Sequence, residues 1–369
     1  MNNSAGARLE SLDVFRGATV AAMILVNNPG SWSHIYGPLR HADWHGWTPT
    51  DFIFPFFLYI VGVAITLSQR DGAPRAELYS KIARRTLILF GLGLFLNGFP
   101  FFELSTLRIM GVLQRIALCY FCAAILHRET GWRGQAFCAG ALLLGYWAAM
   151  ALIPVPELGA GSLDKGKNLA AYFDSLFLDG HMWSVTKTWD PEGLLSTVPA
   201  VATTLMGVLT GHWLAAPAGP GRKVSGLLGA GIAGLCLGAA WGCLFPINKN
   251  LWTSSYAIFM GGWAALFLAA LYWAMELRGW RFGTAPFVAF GRNAIAVYVL
   301  SGVLAKTLTV IKPWEVAGKA IAVKQIIYEN AFASWLGPIN GSLGYALAFL
   351  TLLYGLMWLL HRRKIYLKI

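Results

Sequence analysis

Apolar runs of about 18 or more residues recur along nearly the whole of this 369-residue chain, and few folds accept such a sequence. In hydrocarbon every backbone N–H and C=O must find its partner within the protein, so each run is expected to be a helix. With 57% hydrophobic and only 12% charged residues, the chain reads as an all-α, polytopic integral membrane bundle. Hydropathy and loop breakers place about ten spans, near residues 14–29, 51–69, 85–101, 109–126, 135–153, 196–214, 224–244, 254–276, 285–305 and 342–360. The first run is followed by Asn27, Asn28 and Pro29 and not by a small-residue cleavage site, so it is expected to persist as a span.

Basic residues test this order, because cytoplasmic loops collect Lys and Arg. Arg8 and Arg16 flank the first span, and Arg70, Arg75, Lys81, Arg84 and Arg85 follow the second. Arg128 and Arg133 follow the fourth, Arg222 and Lys223 the sixth, and Arg278 and Arg281 the eighth; Arg362, Arg363, Lys364 and Lys368 close the chain. Both termini are therefore expected in the cytoplasm. The acidic loop near 154–195 and the loop carrying His41 are expected outside. The net charge of +12 would suit nucleic acid, but its placement beside spans fits anchoring to anionic lipid, and no nucleic-acid partner is expected. The chain reads as one domain over residues 1–369, a multi-pass protein of the inner, cytoplasmic membrane.

All five cysteines fall inside predicted spans, where the C-x-x-C of Cys119 and Cys122 suits helix packing better than redox or zinc chemistry, and no disulfide is expected. His34, His41, Asp43 and His45 superficially offer metal ligands, but Gly, Pro and Trp around them argue for a loop, and no metal is expected.

Polar chemistry concentrates in RHADWHGWTPTDFIFPFFL, residues 40–58, where a His, acid and Trp cluster abuts a span. Thr48-Pro49-Thr50-Asp51 reads as a helix start, with Thr48 as N-cap, Pro49 at the first position and Asp51 reaching back to a free amide. The same Asp51 carboxylate can orient the His41 imidazole and leave one ring nitrogen basic. Asn27 and Asn28 end the first span and bring amide donors to that face, an arrangement suited to acyl transfer.

Inside the bilayer, Asn97, Arg108, Gln114, Arg115, Arg292 and Asn293 need a partner or a task. Arg108 and Arg115 are two turns, about 10 Å, apart if both are helical, and would project from one side of the fourth span. That pair either grips phosphates of a nucleotide-bearing donor or pairs with Glu103, Asp51 or Glu192. Arg292 and Asn293 lie near the cytoplasmic start of the ninth span, where snorkelling competes with binding as an explanation of Arg292.

LDVFRG at 12–17, Val26-Asn27, RHADWHGWTPTDFIFPFF at 40–57, RIMGVLQRIALCYF at 108–121, WDPEGLLST at 189–197, PINKNLWTSSY at 246–256 and RRKIYLKI at the C-terminus, in this order, resemble the heparan-α-glucosaminide N-acetyltransferase family. The resemblance implies transfer of an acetyl group from cytoplasmic acetyl-CoA, the acyl donor, to an amino-sugar acceptor across the membrane. It implies His41 as the active-site histidine, Asn27 as a catalytic asparagine with Asn28 as the alternative, and Arg108 as a functional arginine. It also implies a homodimer. The family's lysosomal enzyme carries an N-terminal lumenal extension and a further leading span that do not match here, so a small amino sugar or envelope glycan is the expected acceptor.

The donor arm is expected in a polar cleft lined by spans one to four and nine, with Gln114, Arg115, Arg292 and Asn293 joining Arg108 on the donor. Asp190, Glu192, Asn248, Asn250 and Trp252 are expected on the sugar. Two readings compete: an amino-sugar or oligosaccharide transporter with His41 and the arginines as coupling groups, and a non-catalytic partner in a cell-envelope system.

Overall fold

A computed structural model describes residues 9–68, 74–316 and 319–367. Arg8, Arg70 and Lys368 of the basic clusters lie outside the described residues. In order, the main helices are α1 (Glu10–Asn27), α2 (Ile53–Leu67), α3 (Arg75–Gly98), α4 (Val112–Glu129) and α5 (Trp132–Leu152). A hairpin of β1 (Leu163–Asp164) and β2 (Lys167–Asn168) and the short α6 (Leu169–Leu178) follow, within the loop expected outside. Then come α7 (Thr197–Ala215), α8 (Pro220–Gly242), α9 (Ser254–Tyr272), α10 (Ala285–Arg292) and α11 (Ala294–Val310). A second hairpin, β3 (Trp314–Val316) with β4 (Lys319–Ile321), precedes α12 (Val323–Tyr328), α13 (Ser334–Leu336) and α14 (Pro338–Arg362).

The fold is that of a mostly helical, multi-pass membrane protein with two small hairpins added to the all-α expectation. Six described helices are long and apolar enough to cross a membrane by themselves, and the bent pair α10–α11 makes a seventh. Each remaining predicted span also falls on a helix, namely α1, α3 and α4, but charged residues such as Asp13, Lys81 and Arg115 dilute their hydropathy. α2, α7 and α9 bury more than half of their spans and form the centre, whereas α5, α8 and α14 bury less than a third. Leu58, Ala117, Ala200, Leu205, Tyr256 and Met260 meet in the largest core cluster, drawn from α2, α4, α7 and α9.

Close packing at the centre uses small residues, as expected where lipid provides no hydrophobic drive between helices. A Cβ on Gly207 of α7 would stand 2.1 Å from the Tyr59 carbonyl oxygen of α2, so only glycine permits that crossing. Gly291 makes the equivalent approach of α10 to α1, where a Cβ would be 2.0 Å from the Asp13 carbonyl oxygen.

Two expectations are corrected. The ninth span is not one helix: it bends by 84° between α10 and α11. The cause is Asn293, which leaves helical geometry at the junction and uses its side chain to hold the returning C-terminal segment, donating to the Ile365 carbonyl at 3.3 Å and accepting from Leu367 N–H at 3.0 Å. Arg108 and Arg115 do not share a helix face. α4 begins only at Val112, after a fully extended Gly111, because Asn97 of α3 binds the Arg108 carbonyl at 2.8 Å and draws this strand out of the helix.

Lys306 explains another turn. Its ammonium, half-buried on α11, donates to the carbonyls of Leu96, Asn97 and Phe99, the open C-terminal end of α3. A cation at a helix C-terminus satisfies both the free carbonyls and the helix dipole.

Candidate active site

The helix start at Thr48 forms as its sequence requires, and it builds the site. Pro49–Phe52 is a 3-10 turn leading into α2, and Asp51 Oδ2 accepts from the Thr48 N–H at 3.0 Å and the Ala42 N–H at 3.1 Å. Its other oxygen, Oδ1, lies 2.7 Å from His41 Nδ1. The Asp51 side chain is fully buried while that of His41 is 47% exposed, so one end of the dyad is fixed and the other is presented. An ionised carboxylate only accepts, which places the shared proton on Nδ1 and leaves Nε2 with its lone pair. Tyr256 of α9 fastens the same turn by donating to the Asp51 carbonyl at 2.7 Å.

The imidazole opens onto a cleft of about 680 Å³. Met23, Val26 and Asn27 from the last turns of α1 line it, with Phe54 and Phe57 of α2, Val112 of α4 and Tyr298 of α11. The loops between helices add His41, Asp43, Arg108, Lys165, Trp183, Trp189, Glu192, Lys249 and Asn250. Spans one, two, four and nine thus contribute as expected, and α3 does not.

Asn27 is the exposed asparagine at this edge. Asn28 is buried and donates back to the Ile24 carbonyl at 2.8 Å, so the alternative is spent as a helix cap. Arg108 forms a two-pronged pair with Asp190, from Nε to Oδ2 at 2.8 Å and from Nη2 to Oδ1 at 2.5 Å, and reaches Glu192 as well. Burial alone would lower the Arg108 pKa, but Glu192 and Asp190 outweigh it and hold the guanidinium charged. Burial likewise pushes Glu192 up, and Arg108, Arg115 and Lys249 together bring it below the ordinary carboxylate value.

Of the residues expected on the sugar, Glu192 and Asn250 face the cleft, while Asp190, Asn248 and Trp252 stand behind the wall. Asp190 is spent on Arg108 and on the N–H groups of Trp183 and Glu192. Asn248 holds its own loop by accepting from Leu251 N–H at 2.9 Å. Arg115, expected on the donor, is fully buried against the Trp252 ring at 5.2 Å and donates to the Gly193 carbonyl and to Ser196. Gln114 packs against Gly93 of α3 away from the cleft. Arg292 and Asn293 are further still: Arg292 lies 3.9 Å from Asp13, which is 14 residues or about 21 Å of helix from Asn27.

One residue escaped the sequence reading. Lys249, between the selected Asn248 and Asn250, places Nζ 2.8 Å from Nδ1 and 3.3 Å from Nε2 of His41 and 3.5 Å from Asp51 Oδ1. Its only advance signal was an ammonium set between two amides at a span boundary. Among the described residues no group of three or more His, Cys, Asp or Glu converges as a metal site would require. The five thiols are free.

The sequence model of the catalytic region of heparan-α-glucosaminide N-acetyltransferase matches residues 8–219, which include the dyad, Asn27, Arg108 and Glu192. This chain belongs to that family. It is 30% identical to the human heparan-α-glucosaminide N-acetyltransferase over 79% of this chain and 52% of the human protein. The mouse protein of the same name is 29% identical over 80% of this chain and 53% of its own length. The chain thus spans about half the length of these curated relatives. The Asn250 and Lys249 loop lies beyond the family match, so the cleft is completed by a part of the chain outside it.

Proposed function

We propose that this protein transfers an acetyl group from acetyl-CoA to the amine of an amino sugar, across the membrane in which it is embedded. The observation that carries this reading is one cleft faced by both the His41 imidazole, backed by Asp51, and the Asn27 side chain. His41 Nε2 takes a proton from the acceptor amine as it attacks the thioester carbonyl. The Asn27 amide holds the carbonyl oxygen as that oxygen gains charge. Glu192, Asn250 and the Trp183 and Trp189 rings suit a sugar that offers hydroxyls and one apolar face.

The topology is part of the proposal. Ten spans, counting α1, α3, α4 and the bent α10–α11 pair, return both termini to the cytoplasm and put the cleft at the outer side of the inner membrane. Acetyl-CoA approaches from the cytoplasmic side, with its thioester reaching the His41 rim. A cleft of about 680 Å³ holds a hexosamine and an acyl arm at once, which favours direct transfer over a relay through acetylated His41.

Purified protein given labelled acetyl-CoA and glucosamine should yield labelled N-acetylglucosamine, and should carry no label itself when glucosamine is withheld. Glucosamine flux into vesicles without acetylated product would replace this reading with a transporter, for which the bend at Asn293 is the one structural argument. Product that forms only through labelled His41 would keep the function and overturn the direct route.

A further inference from the structure

Lys249 is more than a neighbour of the dyad. The loop that carries it is built to hold one position: Asn248 N–H donates to Thr253 Oγ1 at 3.0 Å, and the Lys249 carbonyl accepts from Trp252 N–H at 3.1 Å. Trp252 adopts a φ of +49°, left-handed backbone that a bulky side chain avoids. Its ring is nonetheless fixed, 1% exposed, bonded to Thr203 at 3.1 Å and set edge-on to Phe54 and Tyr256. Strain of this kind persists only where the surroundings over-determine it, and it gathers at functional sites. Here it delivers a primary ammonium to the cleft wall.

That ammonium has three N–H donors, and with His41 Nε2 at 3.3 Å and Asp51 Oδ1 at 3.5 Å one remains for the cleft. His41 Nδ1 already gives its proton to Asp51, so it offers Lys249 no lone pair despite the 2.8 Å separation. Asp51 Oδ1, at 3.5 Å, is a loose partner for one N–H. The charged groups facing Lys249 are Asp51 at the start of α2, Glu192 in the loop before α7 and Arg115 on α4, with the His41 ring beside it. Burial lowers the pKa of Lys249 below the ordinary lysine value, and Asp51 and Glu192 oppose that loss of charge.

We propose that Lys249 is a further catalytic residue, whose ammonium stabilises the negative charge that develops on the acyl donor beside His41. The proposal rests on the acyl-transfer reading above. In the step, the acceptor nitrogen bonds to the thioester carbonyl carbon, and the carbonyl oxygen becomes an oxyanion facing Lys249 Nζ. Collapse breaks the C–S bond. The departing thiolate takes the proton that His41 Nε2 removed from the amine, and Lys249 keeps its own protons throughout. A fixed cation in a largely desolvated wall is preorganised for this charge, as oxyanion-site donors are.

The test compares Lys249→Met and Lys249→Arg with the unaltered protein in detergent, by labelled acetyl transfer across pH and by thermal melting. The Met variant should lose about 10²-fold in kcat with KM changed less than about threefold. The Arg variant should recover about tenfold of that loss. Its rate should also persist at alkaline pH where the unaltered protein loses activity, because a guanidinium does not deprotonate there. If Met fails to melt cooperatively, the Arg pH profile decides alone. An alkaline limb shared by the unaltered and Arg proteins, or full kcat in Met, overturns the role of Lys249 and leaves the function standing. No acetyl transfer by unaltered protein removes the function and this proposal with it.

Discussion

The two ends of α1 carry comparable charge and use it differently. At its C-terminal end, Asn27, His41, Lys249, Arg108 and Glu192 surround a cleft, each with atoms directed into open space. At its N-terminal end, Arg16 and Arg292 pair with Asp13, Arg281 with Glu10, and Ser11 N–H with Glu276, while Asn293 ties down the C-terminal segment. That end has spent its polarity on closing the bundle. A polar residue inside a membrane bundle therefore has two outcomes, holding the chain or facing a cavity, and hydropathy registers the same anomaly for both.

The comparison breaks most directly at His41. His41→Ala should lower acetyl transfer by about 10⁴-fold and cost about 1 to 3 kcal/mol of stability, because the fully buried Asp51 carboxylate loses its 2.7 Å partner. A His41→Ala protein that acetylates at the original rate would make the cleft end no different in kind from the other. Arg108 tests whether the cleft wall is also structural. Arg108→Ala takes the ion-pair partner from buried Asp190 and from Glu192, and should destabilise residues 169–196 by about 3 to 5 kcal/mol, read as faster hydrogen exchange there.

Asp174 of α6 sharpens the same region by pH. Burial raises its carboxyl from 3.8 to about 6, against the hydrogen bond from Leu194 N–H. A group whose folded pKa is raised binds its proton more tightly when folded, so its stabilisation is present below about pH 4 and lost as pH rises through about 6. Hydrogen exchange of the loop around α6 should accelerate over that window by the equivalent of about 3 kcal/mol, and the change should vanish in Asp174→Asn. The smallest effect belongs to the closed end. Asn293→Ala removes two hydrogen bonds to the C-terminal segment and should lower stability by about 1 to 2 kcal/mol, with acetyl transfer unchanged within about twofold.

Much of the site was legible locally. Thr48-Pro49-Thr50-Asp51 specified its own turn, since capping is a short-range agreement between side chains and the first free amides, and that turn sets the carboxylate against His41. Asn27 was legible because it ends an apolar run beside the same rim. Arg108 was located but misdrawn: a helical seven-residue spacing to Arg115 failed because Asn97, on a different helix, pulls the Arg108 carbonyl away. Trp252 and Asn248 were expected on the sugar, yet they hold the loop, and Lys249 and Asn250 between them reach the cleft.

What the sequence determined by itself is the helical, membrane-spanning character of the chain and the approach of Asp51 to His41. These follow from rules acting over one helix length or one turn: backbone satisfaction in hydrocarbon and end capping. Only the tertiary structure decided which polar groups face the cleft and which are consumed behind it. Lys249 meets His41 across 208 positions, and the 84° bend at Asn293 depends on a segment some seventy residues onward. Contacts at such separations are set by how helices pack, and no local pattern of residues encodes them.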